Sequence, residues 1–139
     1  MPVGLDRFVE AQEGVYEQAL AELRDGAKRS HWMWFIFPQI AGLSLSATGR
    51  FFELRDLAEA QAYLAHDLIG PRLAECTSAV LGWAGRMSAP AMLGPIDALK
   101  LCSSMTLFEA TGGGPDFAAV LDVFYSGRRD PATLDLLAA

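Results

Sequence analysis

The sequence predicts an all-α protein: an irregular array of about seven short helices in a single domain spanning residues 1–139. Three observations lead there. Apolar residues recur at helical spacing in most segments. Caps, glycines and prolines punctuate the chain often enough to keep every helix short. No pair of segments reads as matched strands. At 52% hydrophobic and 20% charged residues, the chain has the apolar surface a core needs, which excludes a disordered linker. A chain of this length buries roughly 68% of the surface its unfolded form exposes, so it needs no disulfide or metal staple.

The first helix is expected over about residues 7–25, capped by Asp6. Phe8, Ala11 or Gln12, Val15 or Tyr16, Ala19 or Leu20, and Leu23 form one stripe, and Gly26 stands where a terminating glycine belongs. Ser30 is a candidate N-cap for a short helix through Phe37, stopped by Pro38. By periodicity alone, Trp32 to Phe37 also suits a buried strand. Helix is preferred because a lone strand leaves backbone groups unpaired. Ser46 caps a short helix to about Arg55, and Asp56 with Glu59 resembles a capping box ahead of Ala58 to Ala65. Pro71 fits the first turn of a helix to about Trp83. His66, at the end of the preceding helix, suits a protonated ring on the helix dipole. Ser88 caps a turn before Gly94, and Pro95 opens a helix through Ala110. After the loop at Gly112, Gly113 and Gly114, Asp116 caps Phe117 to Ser126. Asp130-Pro131 starts the last helix.

A net charge of −6 disfavours duplex DNA or an anionic membrane as partner, since such binding draws on surplus Lys and Arg. The longest apolar run, Trp32 to Phe37, is far short of the roughly 20 residues of a membrane span. Cys76 and Cys102 are the only cysteines and form no ligand cluster. With no secretory signal in the first residues, they point to thiols in a reducing cytoplasm. No cofactor or metal is expected.

Two segments depart from ordinary helix chemistry. Lys28, Arg29, Ser30, His31, Trp32 and Trp34, with Gln39 beyond, gather two cations, a hydroxyl, an imidazole and two indoles. If Ser30 caps a helix, its free N–H groups beside Lys28 and Arg29 make an anion site, and an indole can stack on a planar group. The plainer alternative is a capping serine, core tryptophans and solvated cations. In the second segment, Asp97, Lys100 and Ser104 share one helix face, bordered by Ser103 and Thr106. Lys100 has a simple partner in Asp97. Alternatively, Lys100 acts on a ligand, or on Ser103 or Ser104 as nucleophile. The chain has nine arginines and two lysines, and both lysines fall in these segments.

The order of these segments carries a resemblance. Arg7-Phe8, Ala11-Gln12 and Tyr16 are followed by Lys28, the run Ser30-His31-Trp32-Met33-Trp34-Phe35 and Phe37-Pro38-Gln39. Then come Tyr63-Leu64, His66 and Asp97, and finally Lys100 with the run Ser103-Ser104-Met105-Thr106-Leu107-Phe108. This pattern resembles the bacterial and fungal domain-of-unknown-function family eighteen-ten over nearly the whole chain. The resemblance implies a multihelical fold of about seven helices and supplies no activity. Members often carry the label calpastatin, an inhibitor built from disordered repeats, whereas this chain has a core pattern and no repeat. Ser44, Asp67 and Phe52 stand where the family usually has Gly, Pro and Tyr.

Two functions are thereby expected as alternatives. One is a site for an anionic or nucleotide-like small molecule, with or without turnover, built where residues 28–39 and 97–106 meet. In it Lys28, Arg29 and Lys100 neutralise charge, Trp32 or Trp34 stacks, and His31 or Ser104 orients or transfers a proton. The other is a non-catalytic protein–protein interaction module, such as a homodimer, in which the same polar groups are structural. Nucleic acid is a less favoured partner than either, and a membrane is not expected.

Overall fold

The computed structural model describes residues 4–139, and among these ten α-helices follow one another. They are α1 (Asp6–Gln12), α2 (Tyr16–Arg24), α3 (Met33–Ile36), α4 (Ala47–Phe52), α5 (Leu57–Ala65), α6 (Ile69–Leu81), α7 (Ala89–Leu93), α8 (Pro95–Ala110), α9 (Pro115–Phe124) and α10 (Pro131–Ala138). Seven have seven residues or more. The fold is all-α, and Trp32 to Phe37 holds a short helix rather than a strand. Ile40 and Leu54 make one isolated parallel bridge just beyond it.

The expected first helix is two helices. Gly14 takes φ +74° and breaks it, and Asp6 lies inside the first turn instead of capping it. The break lets each half bury a different face. α1 packs on α3, with Phe8 edge-on to Tyr63 at 5.1 Å, while α2 packs on α6. The end of α2 is as expected: Gly26 turns at φ +68° and the Ala27 N–H donates back to the Glu22 carbonyl at 3.0 Å.

Local caps explain most other boundaries. The side chains of Ser46, Asp56, Ser88 and Asp130 each accept a hydrogen bond from the backbone N–H three residues on. Asp116 does not cap α9. Gly114 takes that position and Pro115 the first turn, leaving Asp116 beside the helix dipole. His66 also differs from expectation. Its Nδ1 accepts from the N–H groups of Leu68 and Ile69, so the ring serves the start of α6 as an acceptor.

One core runs through the array, from Phe8 and Leu23 through Trp32, Phe37 and Tyr63 to Phe108 and Phe117. Burying each such side chain contributes roughly 1.5–3 kcal/mol. Buried polar groups tie the helices together: Gln12 donates to the Phe35 carbonyl at 2.8 Å and to the Tyr63 hydroxyl at 3.1 Å. α8 is the central strut, packed on α5, α7, α9 and α10. Its first turns reach the surface, and Leu101 and Ser103–Phe108 are buried. Both cysteines are free thiols, Cys76 buried and Cys102 half-buried. No helix of the described residues is long and apolar enough to cross a membrane.

Candidate functional site

Segment 28–34 is shaped by a residue its own motif does not contain. Ser30 is not an N-cap, because α3 begins at Met33 with Trp32 before it and no side-chain cap. The Ser30 hydroxyl instead donates to Glu22 Oε2 at 2.6 Å. The N–H groups of Arg29 and Ser30 donate to Glu22 Oε1 at 2.7 and 3.0 Å. Trp32 Nε1 donates to the same oxygen at 2.9 Å, and Gln18 Nε2 to Oε2 at 2.8 Å. The backbone donors expected to hold an external anion therefore hold the chain's own carboxylate. Burial opposes ionisation of Glu22, but the donors from Ser30, Arg29, Gln18 and Trp32 outweigh it and keep the carboxyl well below the ordinary range. The sequence carried a signal for this residue: Glu22 lies three positions after Ala19, on the buried face of α2.

The segment then reaches α8. The Lys28 N–H donates to the Met92 carbonyl at 2.9 Å, fixing the chain against the end of α7. Lys28 Nζ meets Asp97 Oδ2 at 2.8 Å and donates to the Ser30 carbonyl at 2.7 Å. Lys100 Nζ lies 3.6 Å from Asp97 Oδ1. Both lysines of the chain thus converge on one carboxylate. Each ammonium also faces an indole, Lys28 at 5.1 Å from the Trp32 ring centre and Lys100 at 5.3 Å from that of Trp34. Lys28, Asp97, Lys100 and Trp34 open on a cleft of about 390 Å³. His31, Leu93 and Ile96 line it beside them. Two ammoniums and one carboxylate leave a surplus positive charge at neutral pH, next to an aromatic wall.

The chain matches, over residues 2–137, the family described as "Protein of unknown function (DUF1810)". The protein belongs to this family. A solved structure, the conserved hypothetical protein Rv1873 from Mycobacterium tuberculosis, is similar to it at 51% identity and a TM-score of 0.94, covering 100% of this chain and 99% of that one. No curated protein matches. Neither description names an activity, so the chemistry of this DUF1810 chain is read from its side chains.

The remaining expected site residues lie elsewhere. Trp32 is fully buried and spends its N–H on Glu22, so Trp34 is the indole at the cleft. Arg29 points to solvent and pairs with Asp25 at 3.2 Å. Gln39 is half-buried, and its carbonyl accepts from the Leu54 N–H at 2.8 Å. Ser103 donates to the Leu99 carbonyl at 3.2 Å and to Asp130 Oδ2 at 3.0 Å. Thr106 donates to the Cys102 carbonyl at 2.8 Å and accepts from the Asp130 N–H at 2.9 Å. Ser104 is completely buried, outside the cleft lining, and its hydroxyl has no hydrogen-bond partner among the described residues. A Ser104–Lys100 nucleophile pair is therefore not assembled. The two residues share a helix face, but α8 dives into the core between them. Among the described residues, no three His, Cys, Asp or Glu side chains gather as a metal site.

Proposed function

We propose that this protein binds a small anionic, nucleotide-like molecule in the cleft between segment 28–34 and the start of α8. The convergence of Lys28 and Lys100 on Asp97, with Trp34 on the wall, carries the reading. The lysines meet the anionic group, Trp34 stacks on a planar one, and His31 orients the ligand at the mouth. Asp97 holds the two ammoniums in place before the ligand arrives. A cleft of about 390 Å³ falls within the usual size of small-molecule sites.

A thermal-shift screen with nucleotides, sugar phosphates and dinucleotide fragments tests it. A true ligand at a hundredfold excess over its Kd adds about 2.7 kcal/mol of stability. The response is expected to vanish in Lys100→Ala; a hit unchanged in that variant counts against the cleft.

A second reading, a protein–protein contact, draws on Ile96 and Leu99, which are 69% and 70% exposed in the first turns of α8. Sedimentation of the free chain tests it: a dimer dispersed by Ile96→Asp supports that contact, and a monomer at every concentration removes it.

A further inference from the structure

α8 has a second open side. Residues 97 and 100 project toward the lysine cleft, whereas Leu99 and Cys102 project away from it and line a larger cavity of about 620 Å³. Phe124 and Tyr125 at the end of α9 and Pro131 at the start of α10 supply its other apolar walls.

The polar groups around this cavity are almost all committed. The Tyr125 hydroxyl donates to the Ala98 carbonyl at 2.5 Å. Asp130 Oδ2 accepts from the Ser103 hydroxyl at 3.0 Å, the Thr133 N–H at 3.1 Å and the Thr133 hydroxyl at 2.5 Å. Arg129 is held by Glu109, and by Asp122 at 2.9 Å. Arg128 stands apart: it lines the cavity, is exposed, and makes no ion pair among the described residues. The chain reaches it through a reversal in which Ser126 takes φ +55°, a conformation that side chains disfavour, followed by Gly127 at φ +77°. A strained residue and an uncommitted guanidinium thus border an apolar cavity, and Leu99 stays 70% exposed at its edge.

We propose that this cavity binds a small apolar acid, its chain lying against Leu99, Phe124 and Pro131 and its carboxylate on Arg128. The walls select an apolar body; Arg128, the lining cation without an ion pair among the described residues, selects a single anionic head, placed away from the Asp130 carboxylate that neutral donors hold. The lysine cleft, with two ammoniums and an indole, suits a different ligand.

Cys102 is a built-in reporter, since Cys76 is fully buried and silent in the folded chain. Burial pushes the Cys102 thiol up, so alkylation by N-ethylmaleimide is followed at alkaline pH, where decanoate stays ionised. Decanoate, read by intact mass, is expected to slow alkylation of the full chain about tenfold near saturation. Arg128→Ala should raise the decanoate concentration giving half protection roughly tenfold, as loss of a charge-assisted hydrogen bond would. Protection by decanol should be the same in both proteins. The proposal is overturned if decanoate leaves the rate unchanged, if half protection is equal in Arg128→Ala, or if protection tracks dimerisation in light scattering.

Discussion

Glu22 and Asp97 are two helix carboxylates that meet the same short segment, and they are held in opposite ways. Glu22 is completely buried and bound by uncharged donors: two backbone N–H groups, a hydroxyl, an indole and an amide. Asp97 keeps 18% of its side chain in contact with solvent and is bound by two ammoniums. Dipoles can satisfy one carboxylate without leaving a charge that calls for a further partner. Two ammoniums around one carboxylate leave a positive remainder, and it faces a cleft. The first arrangement is a lock between α2 and α3, and the second suits a binding site.

The largest effect is expected at the lock. Glu22→Ala strands several buried donors at once and should cost about 3–5 kcal/mol in urea unfolding. A loss below about 1 kcal/mol would break the contrast with Asp97.

Acid titration sharpens the same point. The folded carboxyl of Glu22 lies below its ordinary value of 4.5. Its contribution to stability is therefore fully present above that pH and is lost as the pH falls toward the depressed folded value. Wild-type urea midpoints should decline through this acidic window, and those of Glu22→Gln should decline less. Parallel curves for the two proteins would remove Glu22 as a source of acid sensitivity.

At the cleft the stability effects shrink. Asp97→Asn keeps an acceptor for Lys28, which also retains the Ser30 carbonyl, so the variant should lose about 1–2 kcal/mol in the same unfolding assay. Lys100→Ala breaks a longer, partly exposed pair at 3.6 Å and a contact with the Trp34 ring, and should cost about 1 kcal/mol or less. That substitution is nevertheless expected to abolish the thermal response to an anionic ligand. A Lys100→Ala protein as destabilised as Glu22→Ala would place the cleft, too, among structural locks.

What the amino-acid order determined by itself is the helical architecture and most of its punctuation. Ser46, Asp56, Ser88 and Asp130 cap helices through bonds to the N–H three residues on, and Pro95 opens α8 where expected, because these interactions are complete within one turn of chain. The same locality made the unusual chemistry of segments 28–39 and 97–106 visible. Tertiary structure alone decided the rest. It broke the first helix at Gly14 so that two faces could be buried. It turned Ser30 from a cap into a donor for Glu22 and sank Ser104 into the core, outside the lining of the lysine cleft. It also brought Lys28 and Lys100 onto one aspartate. Side-chain spacing along a helix shows which groups share a face; how deep that face lies, and what meets it from a distant part of the chain, depends on packing.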